Sequence, residues 1–232
     1  SKRIEWEHVV PAYDFGRSFP EWRDGHPECV DSKGEPFKGR NCARKMAIPF
    51  RYMEADLYNL VPAVGEINGL RSNYRFGMIP GEAREFGACD FEIEDRVAEP
   101  TEGVQGNIAR TYKYMNWAYG RGIIGRARTK LFDAWDRSDP VDAWECERAR
   151  RIEVIQGNEN PFVKGACQAA GLWRGDIAPA PATEDAYHGN ARSHVFHGPG
   201  CRYYDCKNCT VVFSSKDDAI EAGYRAHEGC VE

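Results

Sequence analysis

The run Arg3-Ile4-Glu5-Trp6-Glu7-His8-Val9-Val10-Pro11-Ala12 decides how this chain is read. It predicts a short apolar strand with a carboxylate, Glu7, set beside an imidazole, His8, near its end. A hard-metal ligand and a proton acceptor then sit in neighbouring positions, as a metal-assisted hydrolase needs. Successive strand residues point to opposite faces, so the two can serve one phosphate only if the strand twists or ends there, which Pro11 permits. A plainer account stands beside this one, in which His8 between Trp6 and Val10 is a buried structural histidine.

The rest of the composition bounds the answer. With 232 residues the chain can bury a good core as one domain or two. No stretch approaches the roughly 20 apolar residues of a membrane helix, so a soluble protein without a membrane partner is expected. Ser1-Lys2 opens almost directly into the strand, as a cleaved or engineered terminus would. A net charge of −5 argues against a protein that coats nucleic acid by bulk electrostatics. Basic clusters exist all the same, at Arg121, Arg126, Arg128 and Lys130 and again at Arg148-Ala149-Arg150-Arg151. The second reads either as the polar face of a helix or as a phosphate footprint.

Nine cysteines exceed what a cytosolic enzyme of this size carries by chance. Spread cysteines point to disulfides in an oxidising compartment, and clustered ones also to a metal site. We expect Cys29–Cys42 and Cys89–Cys146 as disulfides, with Cys167 left over, and an oxidising compartment.

Residues 16–45 are polar and punctuated by glycine and proline, which predicts a long loop or ragged hairpin. A short helix is expected over residues 53–60 and a strand over 89–93. Ile108, Tyr112, Met115 and Tyr119 recur at helical spacing within 104–119. Asp139-Pro140 supplies an N-cap and first-turn proline for a helix that Gly157 ends. Helices therefore carry most of the core. The Ala/Pro-rich stretch after residue 177 reads as a semi-rigid linker over 178–190. It divides a first domain, residues 1–177, from a small Cys/His-rich module, residues 191–232, whose Ser214-Ser215 pair caps a helix ended by Gly223.

In the first domain the opening strand and the asparagine-rich segment around Asn59 and Asn68 form a strand–loop–helix unit. Mg²⁺ takes oxygen ligands and keeps several waters, so one carboxylate and one amide oxygen suffice. Arg40 is tethered next to Asn41-Cys42 for a scissile phosphate. Asn68-Gly69 also suits a plain turn, and Asn59 a helix-terminal bond to backbone.

Five ordered stretches carry a resemblance. They are residues 3–12, residues 59–73, Asn107-Ile108-Ala109-Arg110-Thr111-Tyr112-Lys113-Tyr114-Met115, Trp144-Glu145-Cys146-Glu147-Arg148 and Gln156-Gly157-Asn158-Glu159-Asn160-Pro161. Together, over about residues 3–163, they resemble the bacterial endonuclease I family of periplasmic or secreted nucleases. The resemblance implies an α+β fold, with a ββα-metal (His-Me finger) core in mostly helical surroundings. It also implies Mg²⁺-dependent cleavage (Mn²⁺ or Ca²⁺ as alternatives) of double- and single-stranded DNA, often RNA too. The resemblance further implies cleavage that is independent of sequence and leaves 5′-phosphates; a monomer is expected. By position Glu7 and Asn68 match the metal ligands, His8 the general base, Asn59 the bracing asparagine and Arg40 the phosphate-stabilising arginine. The loop before Cys42 is longer here than the family's. Family members also usually carry a helical, cysteine-bearing stretch ahead of this strand.

The C-terminal module reads His197-x3-Cys201, Cys206-x2-Cys209 and His227-x2-Cys230. It resembles the small zinc domain of the adaptive-response methyl-phosphotriester DNA repair protein. That resemblance implies His197, Cys201, His227 and Cys230 as a tetrahedral Zn²⁺ set. Two histidines replace cysteines, and Cys206/Cys209 is an extra pair. Cys201–Cys230 and Cys206–Cys209 disulfides without metal are the alternative, and the module is α/β in either case. A different function is non-catalytic DNA binding, with this module supplying affinity; a third reading, a secreted structural protein held by disulfides, predicts no divalent-metal dependence.

Overall fold

A computed structural model describes residues 3–81, 86–87, 89–173, 186–213 and 215–231. It divides into two compact units, Ser1–Gly175 and Asp176–Glu232.

The first unit opens with β1 (Ile4–His8), α1 (Ala12–Gly16), α2 (Pro20–Arg23), α3 (Arg40–Met46) and α4 (Ile48–Ala55). A 3₁₀ turn (Leu57–Asn59) leads into β2 (Leu60–Val64) and α5 (Gly65–Arg71). β1 and β2 are antiparallel, with Trp6 opposite Pro62, Glu7 opposite Val61 and His8 opposite Leu60. β3 (Arg75–Phe76), β4 (Phe91–Glu94) and β5 (Val97–Pro100) make a second sheet in the order β3-β5-β4. α6 (Gln105–Tyr119), α7 (Arg126–Ser138), α8 (Ala143–Gln156) and α9 (Pro161–Ala169) complete the unit. Among the described residues no helix is long and apolar enough to cross a membrane.

Residues 16–45 are not one loop. Their few apolar side chains are decisive: Phe19, Cys29 and Cys42 are buried, and Phe19 and Trp22 pack on Phe50 at 5.6 and 5.7 Å between ring centroids. That anchorage and the Cys29–Cys42 disulfide let residues 40–46 close into helix in a segment whose polarity suggested none. Likewise the helix expected over 53–60 breaks at Asp56. Its carboxylate accepts from the Tyr58 amide at 2.9 Å, a local bond that competes with helix continuation, and Leu60 begins a strand instead.

α8 starts later than expected. Asp142, not Asp139, caps it, accepting from the Glu145 amide at 2.7 Å, and Gly157 ends it at φ 80°. Asp139 closes α7 and takes the Gly106 amide at 2.8 Å. A Cβ on Gly106 would fall 1.9 Å from the Asp139 carbonyl oxygen, so only glycine admits this approach of α6.

Arg110, fully buried, locks α6 to its neighbours. It grips Glu145 of α8 through Nε (2.9 Å) and Nη2 (2.6 Å), and Asp136 of α7 through Nη1 (2.9 Å). Such two-pronged, charge-assisted bonds compensate burial of the charges. The Cys89–Cys146 pairing is overturned: Cys146 bonds to Cys167, joining α8 to α9, and Cys89 is free and exposed. Both partners of the observed bond are buried between two helices that a four-residue connection folds back on each other, an adjacency that spacing along the chain does not disclose.

The second unit holds a four-stranded sheet, order β8-β6-β7-β9, of β6 (Tyr187–Asn190), β7 (Val195–His197), β8 (Cys209–Phe213) and β9 (Arg225–Ala226). α10 (Lys216–Glu221) is capped by Ser215, which accepts from the Asp218 amide at 3.0 Å. The linker of 178–190 is too long at its far end. Tyr187–Asn190 is a strand, because Tyr187 packs edge-on against buried Phe196 at 5.6 Å. Residues 178–185 and Ser214 lie outside the described residues.

Candidate active site

One pocket of about 560 Å³ in the first unit is lined by Glu7, His8, Arg40 and Asn68 together with Trp6 and Arg71. Glu7 and His8 therefore reach one cavity despite their strand alternation, since β1 ends at His8.

Asn59 is responsible for that ending. It is wholly buried, accepts from the Val10 amide through Oδ1 (2.7 Å) and donates to the Val10 carbonyl through Nδ2 (3.0 Å). Its own carbonyl accepts from the Val9 amide at 3.0 Å. The turn beyond the strand is thus clamped to the start of β2.

His8 Nε2 lies 2.8 Å from the Glu54 carbonyl oxygen. A carbonyl only accepts, so Nε2 carries the proton and Nδ1 is the basic nitrogen. Burial holds the imidazole below its usual pKa, with the Glu54 bond working partly against that. The ring is accordingly neutral near pH 7.

Glu7 forms an ion pair with Arg71, whose side chain is 3% exposed. Arg71 also donates to the His8 carbonyl (2.8 Å) and the Val9 carbonyl (2.8 Å), and stacks on Phe76 at 4.3 Å. Burial raises the Glu7 pKa and Arg71 partly offsets it. Arg71 engages Oε1 alone, and a carboxylate offers about four lone-pair sites, so acceptor capacity for a cation remains. Asn68 Nδ2 donates to Glu5 at 3.1 Å, which turns the amide oxygen away from that bond. Carboxylate and amide oxygens in one polar pocket are the donor chemistry of a hard divalent cation, and they fit Mg²⁺.

Arg40 is bound through Nε to Glu54 (2.5 Å), leaving its terminal nitrogens out of that contact. Arg44 holds the other Glu54 oxygen at 2.6 Å. Burial alone would raise the Glu54 pKa, but the bonds from Arg44 and Arg40 outweigh it and hold the carboxyl low. A depressed native pKa stabilises the fold above the usual carboxylate value and loses that contribution as pH falls through the native one. Glu54→Gln should therefore cost up to about 1 kcal/mol at pH 7, after solvent screening, and less near pH 3. Parallel thermal melts at the two pH values check this.

Glu5, Glu54 and Arg71 had not been singled out from the sequence. Arg71 lies near the end of the quoted 59–73 segment, as the last residue of α5, and nothing in its spacing marked it.

In the second unit, His197, Cys201, His227 and Cys230 bring their ligand atoms within 4.8 Å of one another. The structure bonds Cys201 to Cys230 and Cys206 to Cys209. Buried His197 sits with Nδ1 3.4 Å from Cys201 Sγ, and its ring lies 4.8 Å from that of His227. In a tetrahedral zinc site, sulfur and nitrogen ligands stand about 3.3–3.8 Å apart, so this cluster fits Zn²⁺ once its two thiols are free.

Fold and pocket together define a mixed α+β protein whose acid, imidazole, amide and guanidinium meet on a strand–strand–helix unit. The chain belongs to the Endonuclease I family, whose model matches residues 1–167. It is 47% identical over 170 residues to a periplasmic deoxyribonuclease of Aeromonas hydrophila, covering 72% of this chain and 65% of that protein. An extracellular deoxyribonuclease of the same organism is 44% identical over 172 residues, 72% of this chain and 68% of the relative. Endonuclease-1 of Buchnera aphidicola subsp. Acyrthosiphon pisum is 40% identical over 168 residues, 71% and 61%. The chain thus spans about two thirds of the length of these relatives.

Proposed function

We propose that the first unit is a metal-dependent, sequence-non-specific endonuclease that hydrolyses phosphodiester bonds of DNA, and of RNA, to 5′-phosphate products. The observation that carries this is the convergence of Glu7, His8, Asn68 and Arg40 on one pocket, with His8 held by the Glu54 carbonyl. The relatives' names, periplasmic and extracellular deoxyribonuclease, support both the substrate and a periplasmic or secreted location. Four disulfides are consistent with an oxidising compartment.

In this reading His8 Nδ1 takes the proton of the attacking water. The Glu54 carbonyl fixes the tautomer and the ring, and stabilises the imidazolium that forms. Arg40 aims its free nitrogens at the non-bridging phosphate oxygens and offsets charge as attack proceeds. Asn59 keeps the end of β1 in place. Glu7 and Asn68 would hold Mg²⁺, which would supply electrostatic stabilisation of the leaving oxygen. Arg71 keeps the Glu7 carboxylate ionised and oriented. The second unit adds affinity for DNA or stability, stapled by disulfides when oxidised and holding Zn²⁺ on His197, Cys201, His227 and Cys230 when reduced.

Glu7→Gln keeps shape and removes the ligand's charge. It should raise the Mg²⁺ concentration for half-maximal cleavage at least about tenfold, the lower bound typical of lost metal-site interactions. An unchanged Mg²⁺ titration overturns the assignment of Glu7.

A further inference from the structure

Trp6 is 69% exposed and Trp144 60% exposed, an unusual state for the largest apolar side chains in a chain with a well-packed core. They flank one groove of about 440 Å³ whose floor includes Pro62 and Arg148. Trp6 also lines the catalytic pocket, so groove and pocket adjoin at one side chain. Trp6 and His8 share a face of β1 and stand about 6.6 Å apart along it, roughly the reach of one nucleotide.

The groove's charge suits an anion. Glu147 is occupied by Arg150 and Arg151, each at 2.7 Å. Arg148 has no carboxylate partner among the described residues. Instead Nη2 donates to the Leu57 and Leu60 carbonyls at 2.6 and 2.7 Å, which fixes the guanidinium, and it lies 5.9 Å from the Trp144 ring centroid. A fixed, half-buried guanidinium with no carboxylate bonded to it among the described residues, beside two exposed indoles, combines a phosphate contact with stacking surfaces. This is the makeup of a site for unpaired nucleotides.

We propose that this groove is a nucleotide subsite. It takes the nucleotide next to the scissile phosphate of a single-stranded or locally opened strand, its base against Trp6 and Trp144 and its phosphate on Arg148. The inference rests on the nuclease reading above, since the strand enters the groove from the catalytic pocket. It assigns the Arg148-Ala149-Arg150-Arg151 cluster a phosphate at Arg148 rather than a uniformly solvated face.

The test compares (dT)₈ with an octamer of tetrahydrofuran abasic units, which keeps the phosphates and lacks the bases. Cleavage is measured with Mg²⁺, and binding by anisotropy of labelled oligomers in EDTA, for the full chain and for Trp6→Ala and Trp144→Ala. Stacking on aromatic side chains predicts that the unmodified protein prefers (dT)₈ by roughly 5- to 150-fold per stacked base. That preference should fall toward one in each tryptophan variant, in cleavage and in binding. A preference that survives both substitutions, or is absent from the unmodified protein, overturns the subsite while leaving the nuclease intact. Base-dependent binding that the variants lose, with no cleavage of either oligomer, upholds the groove and overturns the nuclease reading. Neither binding nor cleavage overturns both.

Discussion

His8→Ala should lower plasmid cleavage by about 10²–10⁴-fold, the range set by loss of a general base, while DNA binding and the melting temperature hold. The size of the effect follows from how much is invested in one imidazole. Its Nε2 proton is committed to the Glu54 carbonyl, leaving Nδ1 as the one basic atom, and burial keeps the ring unprotonated. Among the described residues no other histidine or lysine lines this pocket, so none of them replaces the lost acceptor. Alanine removes one hydrogen bond at the edge of the ribbon and leaves the Asn59 clamp in place. Steady-state cleavage and a filter-binding isotherm on the same preparation check the prediction. Retained turnover would show that another group takes the proton.

Arg110→Met should cost about 3–5 kcal/mol, because it strands the buried Glu145 carboxylate rather than merely deleting a contact. Glu145, nine-tenths buried or more, loses both of its guanidinium bonds, and Asp136 loses one. Burial already raises the Glu145 pKa, with Arg110 opposing it, so without the cation this carboxyl moves further toward its protonated form. The melting temperature should fall by roughly 6–20 °C for a unit of this size. It should recover in part at acid pH, where Glu145 becomes neutral. A shift under about 2 °C would show that the three helices are held by apolar packing alone. Catalysis measured well below the melting transition should be little affected, since the network lies outside the pocket.

How much of this could be read beforehand depends on whether the determining contacts are local. Glu7, His8 and Asn68 were legible because residue type and short spacing carry the chemistry. The contacts that complete their setting join residues 46, 63 and 64 positions apart, and no periodicity marks them. Glu54 is the clearest case, because its backbone carbonyl orients His8 and a backbone atom leaves no trace in residue identity. The same limit explains Cys146: the turn between α8 and α9 brings it to Cys167, whereas counting along the chain left Cys167 unpaired. Helix boundaries slipped where two acceptors competed, as at Asp139 and Asp142, because capping depends on which carboxylate the chain direction presents to the free amides. In residues 16–45 the abundance of polar groups hid a few buried side chains, among them Phe19, Cys29 and Cys42, that order the segment.

The central claim is that the oxygen donors and imidazole of one pocket make a metal-dependent nuclease, and relaxation of supercoiled plasmid tests it most directly. The purified 232-residue chain is incubated with plasmid in Mg²⁺, in EDTA, and in EDTA followed by excess Mg²⁺. The account predicts nicking and then degradation in Mg²⁺, none in EDTA, and recovery on adding the metal back. Cleavage that persists undiminished in EDTA, or intact plasmid under all three conditions, would contradict it.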